Sequence, residues 1–358
     1  MNAARAPRLA SVDALRGWAV AAMLLVNYPG DWGHVYAPLR HSEWNGCTPT
    51  DLIFPTFLFL VGVSVALSMG HLEEDAGVRR GVLGKAWLRA ARLVLLGLAL
   101  HALAMWAYDT PHFRVWGVLQ RIGLCFGVAA SAMLYLRARG QWVAIAAIMI
   151  GYTALLEMTG GSVPLDNIAS RIDSWMLGPH AYRFDAASGR GHDPEGLSST
   201  LPAIATTLIG IRAGAWLRGH GTSPLLLAGG VALSIGWLWS FVVPWNKNLW
   251  TPSFVAWSAG WAMLLLVLCH RLFDVRGWPP FGRSMGINAI VAYAGSWAMA
   301  CLMEKYGLFG ALYRDGFQPL LAPTFGDEAA SFAFAAAFVA FWCLLMWAMQ
   351  RKGWRIVI

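Results

Sequence analysis

Asn27 to Pro55 reads NYPGDWGHVYAPLRHSEWNGCTPTDLIFP and joins two strongly apolar runs, 10–28 and 50–70. Each run is close to the roughly 20 residues that carry a helix across about 30 Å of hydrocarbon. Between them stand His34, Arg40, His41, Glu43, Asn45 and Asp51, interleaved with Trp32, Tyr36 and Trp44. A turn between two membrane spans needs none of these groups. The stretch is therefore either a well-hydrated loop or the mouth of an active site.

Outward from it, similar apolar runs recur at 87–107, 115–136, 142–158, 201–217, 224–243, 251–271, 286–303 and 331–350. Of the 358 residues, 58% are hydrophobic and 13% charged, where a soluble chain carries about 25% charged residues. The pattern predicts an all-α, polytopic helix bundle embedded in the lipid bilayer, with about ten transmembrane helices and one integral domain over 1–358. Arg5 and Arg8 ahead of the first run resemble the start of a signal peptide. Asn27-Tyr28-Pro29 stands where a small-x-small cleavage site belongs, so the run is read as the first span. The five cysteines form no CxxC and four lie in apolar runs, which points to neither a disulfide framework nor a zinc site. No metal is expected.

The net charge of +8 would suit nucleic acid, but its distribution argues otherwise. With the amino terminus inside, 16 Lys and Arg fall on inner segments, among them Arg79, Arg80, Arg89, Arg92, Arg218 and Arg271. Eight fall on outer ones: Arg40, Arg114, Arg171, Arg183, Arg190, Lys247, Lys305 and Arg314. That asymmetry is the positive-inside pattern and places both termini in the cytoplasm. The opening stretch then faces outward, with the loops 159–200 and 304–330 and the hinge PWNKNLW at 244–250. In the first of these loops Leu165, Ile168, Ile172, Trp175 and Met176 recur at helical spacing. They fit an amphipathic helix lying on the outer membrane surface or packed on the bundle.

Thr48-Pro49-Thr50-Asp51 carries a cap residue, a proline at the first helical position and an acid at the third, which is capping-box chemistry. Asn248 to Ser253 repeats the Asn-x-x-Thr-Pro order of Asn45 to Thr50, an echo that shared capping needs explain. Pro55, a turn inside the second run, should bend it.

Ionisable groups at membrane depth are expensive unless paired or set in a wet cavity. Asp13 and Arg16, spaced i, i+3, can pair along one helix face. His101 suits a helix–helix hydrogen bond, Glu157 ends a span near the outer interface, and Arg212 is a further cation at membrane depth. Arg121, beside Gln120 and about a turn and a half into the fourth run, needs an anion. A phosphate-bearing ligand or a structural carboxylate would serve. His41 is the strongest catalytic candidate, since imidazole is a general base near neutral pH and Glu43, Asn45 and Asp51 stand near enough to orient it. Asp51 is also a capping acid, and the two roles are compatible. Asn27 is either a cap or an amide that polarises a carbonyl, and His34 is an alternative base. His192, Asp193 and Glu195, in HDPEGLSSTLP, form a turn before a capped helix or offer carboxylates to a polyhydroxylated acceptor. Lys247 lies between Asn246 and Asn248 on the same outer side. No Gly-rich phosphate loop, Ser-His-Asp motif or metal-ligand cluster appears.

The segments SVDALRGWAV, LLVN, HSEWNGCTPTDLIFPTFLFLVGVS, RVWGVLQRIG, DPEGLSSTLPAIATTLIG, PWNKNLWTPSFV and GINAIVAY resemble the heparan-alpha-glucosaminide N-acetyltransferase family and its bacterial transmembrane acyltransferase relatives. The likeness covers nearly the whole chain, and the HxxWNGxTxxDLxFP block is its most specific part. The resemblance implies a shorter, bacterial-type member without the lumenal amino-terminal extension of the lysosomal enzyme. The resemblance implies acetyl transfer from cytoplasmic acetyl-CoA to an amino sugar across an inner membrane, by a homodimer. It puts the catalytic histidine at His41 with Asn27 and Asp51 beside it. Gln120 and Arg121, with the cytoplasmic Arg89 and Arg92, would meet the CoA moiety. Glu43, Trp44, Asn45, Asp193, Glu195 and Lys247 would bind the acceptor. His41 would deprotonate the acceptor or carry the acetyl group itself. A sugar transporter using His41 and Asp51 as a proton relay, and an O-acetyltransferase of a surface polysaccharide, are the alternative functions.

Overall fold

The computed structural model describes residues 9–70 and 76–356, so Arg5 and Arg8 lie outside the described residues. Every apolar run is a helix. The chain runs α1 (Ala10–Asn27), a 3-10 turn (Pro49–Leu52) into α2 (Ile53–Met69), α3 (Ala76–Tyr108), α4 (Val118–Tyr135) and α5 (Ala138–Met158). After α6 (Ile168–Leu177) comes a hairpin of β1 (Arg183–Asp185) and β2 (Arg190–His192), paired antiparallel with Phe184 opposite Gly191. Then follow α7 (Thr200–His220), α8 (Ser223–Trp239), α9 (Pro252–Cys269), α10 (Arg283–Ile287), α11 (Ala289–Lys305), α12 (Leu308–Ala311), α13 (Gln318–Phe325) and α14 (Asp327–Arg351). Among the described residues, 7 helices are long and apolar enough to cross a membrane. The protein is an all-α, multi-pass membrane bundle.

Three sequence readings change. The segment 304–330 is not an open loop: it folds as α12, a π turn over Leu312–Phe317 and α13, because Phe309, Tyr313 and Phe317 need a core. Phe309, Tyr313 and Phe317 pack on Phe334 of α14. The loop 159–200 contains the small hairpin besides its helix. In α6 the inward face is Ala169, Ser170, Asp173 and Leu177, while Trp175 and Met176 are exposed. Ile168 and Ile172 are half-buried, so the apolar stripe runs from the margin of the packed face onto the exposed one, and the polar Ser170 and Asp173 are buried.

Hydrogen bonds between connecting segments sort into two sets, at opposite ends of the bundle. At one end Ala10 N donates to Asp274 Oδ1 at 2.8 Å, Trp18 Nε1 to the Phe281 carbonyl at 3.0 Å and Asn288 Nδ2 to the Trp354 carbonyl at 3.2 Å. This is the end that the charge pattern assigns to the cytoplasm. At the other, Gly30 N donates to the Ser331 carbonyl at 3.2 Å, Gly46 N to the Trp245 carbonyl at 2.6 Å and Lys305 Nζ to Asp109 at 2.9 Å.

α2 and α7 sit back to back at the centre. Gly62 lies against the Thr207 carbonyl and Gly210 against the Phe59 carbonyl, so a Cβ at either would strike partner backbone. Small residues at such crossings let membrane helices approach closely. Leu58, Phe59, Leu60, Leu208 and Ile211 fill the space around that crossing with Phe254 of α9. A second core joins Val20 and Leu24 of α1 to Phe338, Trp342 and Met346 of α14. The long outer helices α3, α5 and α8 keep exposed apolar faces, with Leu95, Val143, Ile150 and Leu227 turned outward where lipid would lie.

Candidate active site

His41 leaves the 27–52 loop a few residues before the 3-10 turn and meets Asp51 inside that turn. Its Nδ1 is 2.7 Å from Asp51 Oδ1. The second carboxylate oxygen, Oδ2, accepts from Ser42 N at 3.1 Å and Thr48 N at 3.0 Å, and Asp51 N donates to the Thr48 carbonyl at 3.1 Å. Capping and orientation therefore use different oxygens of one buried carboxylate. Asp51 fixes the tautomer as it fixes the helix start: Nδ1 carries the proton, and Nε2 is left with its lone pair.

Lys247 completes this group from the 244–250 hinge. Its Nζ is 3.1 Å from His41 Nδ1, 3.3 Å from Nε2 and 3.9 Å from Asp51 Oδ1. The hinge is held from inside. Asn246 Oδ1 accepts from Leu249 N at 2.8 Å, and Thr251 Oγ1 donates to the Pro244 carbonyl at 2.9 Å. Trp250 takes φ +53°, a left-handed conformation that bulky residues rarely adopt, and is fully buried with Nε1 3.1 Å from Thr206 Oγ1. Burial pulls the Lys247 ammonium below the usual lysine range. The two echoed loops touch, with Asn246 Nδ2 donating to Asn45 Oδ1 at 3.0 Å.

These residues line a cavity of about 620 Å³ at the outer end. Asn27, at the last turn of α1, is on its wall with His41, Glu43, Trp44, Asp51, Glu195 and Lys247. Tyr108, Tyr182 and Trp297 add aromatic faces. Glu195 is anchored by Arg114, whose Nη2 lies 2.7 Å from Glu195 Oε2 and 2.6 Å from Asp193 Oδ1, with Nε 3.0 Å from Asp193 Oδ2. Burial alone would raise the Glu195 carboxyl, but Arg114, Arg121 and Lys247 outweigh it and hold it below the usual range. His192 is also on this wall, and behind it Ser170 Oγ is 3.1 Å from His192 Nδ1 and Asp173 Oδ1 accepts from Leu197 N at 3.0 Å. Burial pushes Asp173 up to about 7 and His192 down to about 4.

A second cavity, of about 590 Å³, occupies the other half of the bundle. Its walls are mostly apolar, from Val20, Val61, Leu93, Leu119, Ile122 and Phe126, and also carry Arg16, Arg89, Arg218 and His270. Arg16 pairs with Asp13 at 3.2 Å and reaches Ser64 Oγ at 2.7 Å. The Asp13–Arg16 pair thus lies on a cavity wall. Arg218 donates to the Gly70 carbonyl at 2.9 Å, closing the end of α2. The two cavities share three wall residues: Met23, Val118 and Tyr293.

Several expected site residues are elsewhere. Arg121 is in the first turn of α4, at the outer end, and fully buried. Its Nη2 binds Ser199 Oγ and, at 3.2 Å, the Gly196 carbonyl, and its guanidinium lies 5.0 Å from the Trp250 ring centre. Gln120 Nε2 donates to the Val115 carbonyl at 3.1 Å. Neither reaches the inner cavity, and Arg92 is exposed on α3 away from it. Of these four donor-side expectations, only Arg89 is on its wall. On the outer side Asn45 braces the hinge and Asp193 is sealed under Arg114, so neither faces the outer cavity. His34 turns instead to Asp31, 2.8 Å away. Sequence reasoning passed over Arg114, Arg218 and Tyr293. Arg114 had one signal, a cation directly ahead of the VWGVLQRIG segment.

A family model described as heparan-alpha-glucosaminide N-acetyltransferase, catalytic, matches residues 8–235. The chain is 30% identical over 354 residues to the heparan-alpha-glucosaminide N-acetyltransferase of Homo sapiens, covering 81% of this chain and 52% of that protein. For the Mus musculus protein of that name the figures are 30% over 355 residues, 81% and 53%. The chain spans about half the length of the curated relatives it matches. The family match takes in Asn27, His41, Asp51, Arg114 and Glu195, and stops short of Lys247.

Proposed function

Because this chain belongs to the heparan-alpha-glucosaminide N-acetyltransferase family, we propose that it moves the acetyl group of cytoplasmic acetyl-CoA to the amino group of glucosamine, or of a terminal glucosamine residue, on the far side of an inner membrane. The observation that carries this reading is the His41–Asp51 pair at 2.7 Å, on a cavity that shares wall residues with a second cavity lined in part by arginines. A donor with phosphates suits these arginines, and an amino sugar suits the carboxylates and aromatic faces.

In the reaction, His41 Nε2 takes a proton from the acceptor nitrogen as that nitrogen attacks the thioester carbonyl carbon. The C–N bond forms, the C–S bond breaks, and the imidazolium returns the proton to the CoA sulfur. Asp51 keeps Nδ1–H in place and stabilises the imidazolium while it exists. Asn27 and Lys247 supply hydrogen-bond donors to the oxyanion. Glu195 and Glu43 hold the sugar, with Trp44 and Tyr182 against its faces. Arg89 and Arg218 meet the donor phosphates. The same geometry permits Nε2 itself to take the acetyl group and pass it on, and only that route labels the protein with radioactive acetyl-CoA in the absence of acceptor. The family resemblance is what supports a homodimer.

Purified protein with acetyl-CoA and a panel of amino sugars tests the reading, with free CoA thiol as the readout. Release is expected only with glucosamine-type acceptors and is lost in His41→Ala. Wild-type turnover in that variant would refute the assignment. Absence of release together with sugar uptake into vesicles would favour a transporter, and release with hydroxyl acceptors an O-acetyltransferase.

A further inference from the structure

If donor and acceptor occupy opposite cavities, the carbonyl carbon that passes between them must lie where the cavities touch. That place is defined by three side chains: Met23 of α1, Val118 at the start of α4 and Tyr293 of α11. His41, Asp51 and Lys247 line only the outer cavity, and Arg16, Arg89 and Arg218 only the inner one. Met23 and Tyr293 are each 8% exposed and sit on separate helices of the packed bundle. Tyr293 is braced by Trp297, at 6.0 Å between ring centres. The neck is thus apolar except for one phenol, and is formed by helices rather than by a loop that can swing aside.

We propose that Met23, Val118 and Tyr293 form an acyl-length filter, which admits the acetyl group of the donor thioester and rejects longer acyl groups. The inference rests on the acetyl-transfer reading above and adds the specificity of that same site. A donor threaded from the inner cavity leads with its acyl group. The methyl of an acetyl group fits beside the neck while the carbonyl faces His41. Each further methylene must either push Met23 or Val118 aside or turn the carbonyl away from the outer cavity. Sites that exclude a methylene by shape discriminate about 10- to 200-fold per carbon.

The test compares acetyl-, propionyl- and butyryl-CoA as donors to glucosamine, in wild type, Val118→Ala and Met23→Ala, reading the ratio of kcat/KM for butyryl over acetyl. The wild-type ratio is expected to be about 0.01 or lower, and each widening variant to raise it by about 10-fold or more. The ratio is internal to each preparation, so a partial loss of folded protein does not disturb it, and the two variants alter different helices. An unchanged ratio in both variants overturns the filter while leaving acetyl transfer in place. So does a wild type that uses butyryl-CoA as readily as acetyl-CoA. If the wild type transfers no acyl group from any CoA thioester, the reading of the protein as an acetyltransferase falls, and the filter with it.

Discussion

Lys247 Nζ stands 3.1 Å from Nδ1 and 3.3 Å from Nε2 of His41, across 206 positions of sequence. With the Nδ1 proton committed to Asp51, only Nε2 can accept from the lysine. The lysine therefore stands beside both ring nitrogens of the proposed base, within reach of Nε2, and can turn to a developing oxyanion when the acceptor takes its place. Lys247→Met should lower kcat by about 10- to 100-fold, and Lys247→Arg should restore part of it. KM for acetyl-CoA should stay near the wild-type value in both. A normal kcat with a raised acceptor KM would instead make Lys247 a sugar-binding group only.

Asp51 combines two functions that substitution can separate. Asp51→Asn keeps an oxygen for the Thr48 and Ser42 amides but removes the charge that pairs with an imidazolium and permits the wrong His41 tautomer. The loss in kcat should be about 100- to 10,000-fold, as for a histidine that loses its orienting carboxylate. Asp51→Ala should add a loss of about 1 kcal/mol from the missing cap. Thermal unfolding in detergent should therefore distinguish the two variants, while activity assays find both nearly dead.

How much of this was legible in the sequence follows from how local each feature is. The apolar runs make the membrane helices readable because length and composition alone satisfy the bilayer. His41 and Asp51 are readable together because one short turn holds both. The Lys247–His41 contact is not, because nothing local couples the 244–250 hinge to the 27–55 stretch. Arg121 misleads for a different reason. A guanidinium in an apolar run announces that it needs partners but not which, and here they are the Gly196 carbonyl, Ser199 and the Trp250 ring. The segment 304–330 hides its helices behind Pro319, Pro323 and a π turn, which break the spacing that a helix would show.

Arg89 and Arg121 make a contrast that checks the position of the donor. Arg89 is exposed on the inner cavity wall, with its guanidinium 5.0 Å from the Phe126 ring centre. Arg89→Ala should weaken acetyl-CoA binding by about 1.5–3 kcal/mol, roughly 10- to 150-fold in Kd, with little change in thermal stability. Arg121→Met should do the reverse. It strips the buried loop 193–199 of its guanidinium, lowering Tm by several degrees while the folded fraction binds donor normally. Isothermal titration with CoA beside a melting curve reads both, and a large loss of donor affinity in Arg121→Met would move the donor site to the outer half.

Asp173 and His192 oppose each other in pH. Burial holds Asp173 neutral up to about pH 7 in the folded protein, whereas the unfolded carboxyl ionises near 4. Between those values the folded state binds the extra proton, so this group's contribution to stability falls as pH rises. Burial keeps His192 neutral down to about pH 4, whereas the unfolded imidazole protonates near 6.5. Below that value the unfolded state binds the extra proton, so this contribution falls as pH drops. From about pH 4 to 6.5 the two slopes cancel in the wild type. Asp173→Asn should unmask the histidine. Its Tm relative to wild type should rise steadily from pH 4 and level off above about 7, a span worth a few kcal/mol. His192→Gln should show the mirror image, gaining on wild type as pH falls from 6.5 towards 4. Substitution also disturbs the Leu197 and Ser170 hydrogen bonds, but that offset is independent of pH, and the slopes carry the result. Flat difference curves for both variants would mean that neither group is buried in the folded protein.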